Sequence, residues 1–212
     1  MITDIEKEIL KKELNFELNE KIEKNLIEWE KIFINYNSHT NLMSKNDVNV
    51  LFEKHVFDSL AILKWDEFEN FKKILDVGTG GGFPSVILAI CFPDKKIIAN
   101  DSRIKKINFI KEIKEKLNLE NLEIEYDRVE NLEPKNVDLI VSRAVGKMID
   151  VFELSKKHLK KGGKFLIYKA KLLDEEIKNF NLKYKNAKFE TIPYKLPIEE
   201  NFERNLIILN SF

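Results

Sequence analysis

The sequence predicts an α/β fold: a mostly parallel sheet with an antiparallel C-terminal strand, preceded by an N-terminal helical extension. Three observations carry that expectation. A short apolar run over residues 74–77 leads into a turn with four glycines in five positions (Gly78, Gly80, Gly81, Gly82), then into an apolar helix. Strand-like runs and helix-periodic stretches then alternate as far as Phe180. The last two strand-like runs, 189–194 and 205–210, have no helix between them. Alternation builds a parallel sheet, whereas consecutive strands without a crossover pair antiparallel.

Taken in order, residues 4–36 place apolar side chains at helical spacing: Ile5 and Ile9, then Leu14, Leu18 and Ile22, then Leu26, Trp29 and Phe33. Polar residues 35–41 interrupt the pattern. Asn46 or Asp47 can cap a second helix to about Leu63, with Val50, Leu51, Val56, Phe57 and Leu60 inward. Residues 65–71 connect, and the chain divides near residue 70 into an extension over 1–70 and an α/β domain over 71–212. Within that domain strands are expected at 74–77, 96–100, 122–126, 137–142 and 164–168. Helices are expected at 86–92, 103–117, 147–159 and 172–180. Lys161, Gly162 and Gly163 read as a turn before the fifth strand.

Composition narrows the function. Hydrophobic residues make up 43% of the chain, enough for a real core. The single cysteine, Cys91, lies in an apolar run and cannot form an intrachain disulfide. The charged N-terminus has no apolar leader, and the run 86–92 is far too short to span a bilayer, so a cytoplasmic protein is expected. A net charge of zero gives no global argument for a nucleic-acid partner. His39, His55 and His158 lack metal-ligand spacing, so no metal is expected, and no G-x-S-x-G elbow occurs.

The glycine-rich turn sits where α/β folds bind nucleotides, at a strand's carboxyl end and a helix N-terminus. A dinucleotide fingerprint would use Gly78 and Gly80 and then require glycine at 83, which is Phe83. No P-loop Gly-Lys-Ser/Thr occurs. Asp76 beside the turn would repel a pyrophosphate and suits a cationic ligand. S-adenosylmethionine (SAM) carries a sulfonium and an ammonium and no phosphate. Asp101, at the end of the second strand, can accept from both ribose hydroxyls or cap the next helix. Val129 and Glu130 either face the adenine or form an ordinary loop. Arg143 can pair with the SAM carboxylate or hold a substrate base by its planar fork. Arg103, Lys105, Lys106 and Lys169 lie on the same rim, where a phosphate backbone would be attracted. Seven lysines between 156 and 171, uninterrupted by an acid, extend that expectation, with a solvated helix face as the alternative.

With these residues laid out, the chain resembles the RsmG family, also called glucose-inhibited division protein B. Asn41-Leu42 and His55-Val56-Phe57-Asp58-Ser59-Leu60 are similar to its N-terminal signatures, and residues 76–84 to its SAM loop. Asp101-Ser102, Arg128-Val129-Glu130, Ser142-Arg143-Ala144 and Lys169 also match. Met43-Ser44, Ser85 and Ala170 depart from the usual pattern. The resemblance implies a Rossmann-like SAM-dependent methyltransferase that makes N7-methylguanosine in small-subunit rRNA. It also implies SAM contacts at Gly78, Phe83, Val129, Glu130 and Arg143. A monomer is expected. Two competing readings are a small-molecule methyltransferase with the N-terminal helices as a lid, and a SAM- or RNA-binding module without catalysis.

Overall fold

A computed structural model of the chain describes residues 2–40, 42–143, 145–170, 174–198 and 202–211. Seven strands form one sheet in the order β3-β2-β1-β4-β5-β7-β6. They are β1 (Lys73–Val77), β2 (Lys96–Asn100), β3 (Leu122–Glu125), β4 (Val137–Arg143), β5 (Leu159–Lys169), β6 (Lys188–Lys195) and β7 (Glu203–Ser211). Strands β1 to β5 pair in parallel, and β7 inserts antiparallel between β5 and β6. The strand order reverses between β1 and β4, which opens a crevice at their carboxyl ends.

Strand periodicity sorts the core into two layers. Ile74, Ile97, Leu139 and Val141 face one apolar cluster, while Leu75, Ile98 and Ile140 face the other. The first cluster is covered by α1 (Asp4–Leu14), α2 (Glu20–Thr40), α5 (Ser85–Cys91) and α6 (Ile104–Leu117). The second is covered by α7 (Met148–Ser155) and α8 (Asp174–Lys183). Trp29, Phe33, Phe83 and Phe109 interlock in the first layer with ring centroids 5.4–5.7 Å apart. The N-terminal helices therefore share one core with the sheet.

The expected helix over 4–36 is two helices. Asn15 takes a left-handed conformation (φ 50°) and donates its N–H to Leu10, which ends α1. Asn19 then caps α2, its Oδ1 accepting the Ile22 N–H at 2.9 Å. Helix α2 runs past the expected break to Thr40. Ser38 and Thr40 turn their hydroxyls back onto the helix's own carbonyls, so polar side chains do not compete with the helix here. Ser44, rather than Asn46 or Asp47, caps α3 (Lys45–Val48), accepting the Asp47 N–H at 3.2 Å. The expected second helix is a π-helical turn, Phe52–Phe57, running into α4 (Asp58–Leu60) and a 3₁₀ turn, Ala61–Lys64. Residues 161–163 do not separate a helix from β5; they belong to an irregular first part of that strand, whose register against β4 jumps from Val137↔Leu159 to Leu139↔Lys164. A Cβ at Gly163 would lie 3.0–3.1 Å from the Lys160 and Asp138 carbonyls, closer than most Cβ contacts, so glycine suits this close approach. Leu172 and Leu173, the expected start of the last helix, lie outside the described residues.

Candidate cofactor and RNA site

The glycine-rich loop is fixed before any ligand arrives. Gly78 and Thr79 both donate backbone N–H groups to the Asn100 carbonyl at 2.9 Å, which ties the loop to the end of β2. Gly78 needs its positive φ of 71°, and a Cβ there would meet Val145 Cγ2 at 2.4 Å. Asp76 braces the loop from below. Its Oδ2 accepts the Ser85 N–H at 3.1 Å, and the Thr79 and Ser85 hydroxyls are hydrogen-bonded to each other above it. Burial pushes the Asp76 carboxyl up to about 7, and its Oδ1 has no hydrogen-bond partner among the described residues. Asp76 was expected to face a cationic ligand. The structure places it fully buried and lining neither of the cavities described next, so it holds the loop rather than meeting solvent.

Two cavities open along the carboxyl edge of the sheet and share Gly78, Val145 and Arg103. The smaller, about 460 Å³, brings together Gly78, Asp101, Val129 and Glu130. Val129 is buried, and its carbonyl accepts from His158 Nε2 at 2.9 Å. His158 Nδ1 accepts the Lys135 N–H at 3.2 Å, which leaves the proton on Nε2 and pins the loop after β3. Asp101 is buried at the end of β2. Its Oδ2 accepts the Gly80 N–H and Arg103 Nη2, and its Oδ1 accepts the Arg103 N–H and Nε, all at 2.9–3.0 Å. Burial alone would raise this carboxyl, but the hydrogen bonds from Arg103 and Gly80 outweigh it and hold it below the usual range. Asp101 is not the N-cap of α6 (Ile104–Leu117): that position is Arg103, with no side-chain cap, and Asp101 holds the Arg103 N–H in the turn just before the helix.

The larger cavity, about 600 Å³, is lined by Gly80, Phe83, Arg143 and Lys169 from the α/β part and by Ser44, His55 and Asp58 from the N-terminal part. Arg143, expected to hold a ligand, spends three of its five N–H donors on protein. Nη1 donates to Asp58 Oδ2 at 2.9 Å and to the Lys54 carbonyl at 3.1 Å, and Nη2 to His55 Nδ1 at 3.0 Å. Arginine only donates, so the His55 proton sits on Nε2. Burial and then the Arg143 charge lower His55 to about 3, so it is neutral. The His55 ring lies 4.7 Å from that of Phe83, and the Arg143 guanidinium 5.0 Å from the same ring. Asp58 also accepts from Tyr194 at 2.6 Å. The π-helical turn carries both Lys54 and His55 to Arg143, in keeping with the frequent use of such turns at functional sites. His55 and Asp58 entered the sequence reading only through a family signature. Their spacing of three on one helical face was the available signal.

The basic rim is less free than expected. Lys169 lines the larger cavity but donates to Glu176 at 2.9 Å and to the Gly146 carbonyl at 3.2 Å. Lys106 donates to the Leu42 carbonyl at 2.7 Å, holding the segment after α2, and burial lowers its pKa. Lys105 is exposed. Of the lysine run, Lys156 pairs with Glu153, Lys160 with Asp138 and Lys164 with Glu67, while Lys157 donates to the Glu130 carbonyl. These lysines are structural counter-charges rather than an open stripe. Asn41, Ala144 and Lys171 lie outside the described residues.

The family model for rRNA small subunit methyltransferase G, GidB, matches residues 22–207. The chain belongs to that family. Its members include the ribosomal RNA small subunit methyltransferase G of Mesoplasma florum, 39% identical over 81% of this chain and 73% of that protein. The Listeria innocua protein of the same name is 33% identical over 93% of this chain and 86% of that protein. Among solved structures, the precorrin-6y C5,15-methyltransferase of Geobacter metallireducens superposes with a TM-score of 0.52 at 16% identity, over 80% of this chain and 90% of that one. A SAM-dependent methyltransferase from Aquifex aeolicus gives 0.50 at 20% identity, over 66% and 82%. These two similarities show the fold. As a member of the methyltransferase G family, the chain is a SAM-dependent small-subunit rRNA methyltransferase. Among the described residues, no helix is long and apolar enough to cross a membrane.

Proposed function

We propose that the smaller cavity holds the nucleoside end of SAM, that the larger one receives its methionine end with the target guanine, and that the methyl goes to guanine N7 in 16S rRNA. The observation that carries this is the meeting of Asp101, Glu130 and Val129 around Gly78, at the point where the strand order reverses. Asp101 accepts the ribose hydroxyls, Val129 packs on the adenine, and Glu130 accepts from its exocyclic amine. The residues fit the ligand: an apolar wall, two acids for neutral donors, and a glycine where a Cβ would close the passage.

SAM supplies an electrophilic methyl on a sulfonium. Guanine N7 has an in-plane lone pair and no proton, so the chain needs no general base. What it supplies is alignment, worth up to about 7–11 kcal/mol in the limit. Arg143, tied to Asp58 and stacked on Phe83, serves as a rigid wall rather than a proton-transfer group. Its charge is partly balanced by Asp58, which it shares with Arg204, and this eases the placing of the cationic methylated base beside it. Gly80 contributes to the floor, and Arg103 and Lys105 are the rim cations available to RNA phosphates. We divide the chain at residue 70, with residues 1–70 forming one wall of the larger cavity and 71–212 the catalytic unit. Small-subunit rRNA as substrate implies action in the bacterial cytoplasm. Asp101→Ala tests the cofactor assignment. Each ribose hydrogen bond to the carboxylate is worth about 1.5–3 kcal/mol, so calorimetry should show SAM binding weakened at least about tenfold in a folded variant. Unchanged affinity removes Asp101 from the site.

A further inference from the structure

We propose that Arg103 is a latch on the cofactor site: cofactor binding exchanges its guanidinium off Asp101, and the freed guanidinium takes a phosphate of the RNA. The inference rests on the reading of Asp101 as the ribose acceptor and extends it to the order of binding.

A carboxylate offers about four lone-pair sites, and those of Asp101 are full. Two are occupied by backbone N–H groups, of Gly80 and Arg103, which the loop and the start of α6 hold in place. The other two are occupied by one side chain, through Arg103 Nε on Oδ1 and Nη2 on Oδ2. A ribose diol also presents two donors. Each hydroxyl can replace one guanidinium N–H, one on each oxygen, without disturbing the loop. The exchange needs only the Arg103 side chain to move, and that side chain is 64% exposed whereas Asp101 is 3% exposed.

Among the described residues, Arg103 pairs with no other carboxylate. It stands where the two cavities meet, so it faces both the cofactor and the entrance used by the substrate. Lys105, two positions further on, is also exposed. A planar fork that matches a carboxylate matches a phosphate equally well. The latch therefore makes the two ligands help each other. Occupancy by the cofactor delivers Arg103 to the RNA, and RNA that holds Arg103 leaves Asp101 open. Linkage requires both effects to have the same size. An ion pair this exposed contributes little, so the coupling should be about two- to fivefold.

The test uses the full chain, S-adenosylhomocysteine as cofactor probe, and small ribosomal subunits lacking the modification. Arg103→Ala should bind the probe about two- to fivefold more tightly than the unmodified chain in the absence of subunits. The unmodified chain should bind subunits more tightly by the same factor when the probe is present, and Arg103→Ala should lose that gain. Probe affinity that is unchanged or weakened in Arg103→Ala overturns the latch, the weakened case indicating that Arg103 holds the cofactor's own carboxylate. Coupling that persists in Arg103→Ala overturns it as well. Asp101→Ala separates the two levels: it weakens probe binding if the ribose reading holds and only the latch fails, and leaves it unchanged if the ribose reading itself fails.

Discussion

Asp58→Ala probes the buried charge cluster that forms one wall of the larger cavity. Asp58 is the only carboxylate on Arg143 among the described residues, and the Arg143 side chain is 14% exposed. Removing the acid leaves a cation in a poorly solvated place, a change that costs about 3–5 kcal/mol when one partner of a buried pair is deleted. It also takes the acceptor from the buried Tyr194 hydroxyl, for about 1 kcal/mol more. Arg143 keeps its bonds to the Lys54 carbonyl and to His55, which offsets part of this, so the lower end, about 3 kcal/mol, is expected. For a chain of this size each kcal/mol moves the melting temperature by about 2–4 °C, so Asp58→Ala should melt about 6–12 °C lower. The double variant with Arg143→Ala should lose less than the sum of the singles, by about 1–3 kcal/mol. Thermal unfolding of the four proteins gives the cycle. A single variant melting within about 2 °C of the parent, or losses that simply add, would refute the paired, buried state of Arg143.

Asp76→Asn should remove a pH dependence. Burial raises the Asp76 carboxyl from 3.8 to about 7, so the folded chain holds a proton that the unfolded chain releases. The associated stability is present below the unfolded value and is lost as pH rises through 7. The amide mimics the protonated acid, so the melting temperature of Asp76→Asn relative to the parent should rise from pH 4 to pH 8; a difference that does not move with pH contradicts the assignment. Gly78→Ala forces a side chain into a left-handed backbone, at about 1–2 kcal/mol, and drives its Cβ into Val145. The variant should fold and bind SAM at least about tenfold more weakly, with Val145→Ala recovering part of the loss; calorimetry at parental affinity would count against the shared passage at Gly78.

The parallel strands were legible because their signal is local. The run 96–100 has an apolar centre, Ile97 to Ala99, between Lys96 and Asn100, and coincides with β2. The break after α1 was not, because apolar spacing continues through Asn15 and only its left-handed backbone stops the helix. The β5 irregularity was hidden for the opposite reason: paired glycines signal a turn, but here Gly162 takes a positive φ of 76° within the strand and Gly163 lies close to the Asp138 carbonyl of β4. Site residues on the loop ends were found by position, since topology brings every carboxyl end to one edge. Their partners were not. Lys169 finds Glu176 and Arg143 finds His55 and Asp58 only through tertiary packing, the latter across 88 and 85 positions of sequence. A charge alone cannot tell whether it will be free or satisfied. Asp76 shows the same limit, since a carboxylate beside a glycine loop reads as a ligand contact until the Ser85 N–H appears above it.

The most direct test of the whole account is to map the methyl group. The purified chain, labelled SAM and small subunits from cells lacking this activity should give labelled 16S rRNA that borohydride and aniline cleave at a single guanine, the reaction of N7-methylguanosine. Label retained on an uncleaved strand, or found on an exocyclic amine or a ribose hydroxyl, would contradict transfer to a base nitrogen that needs no proton removed.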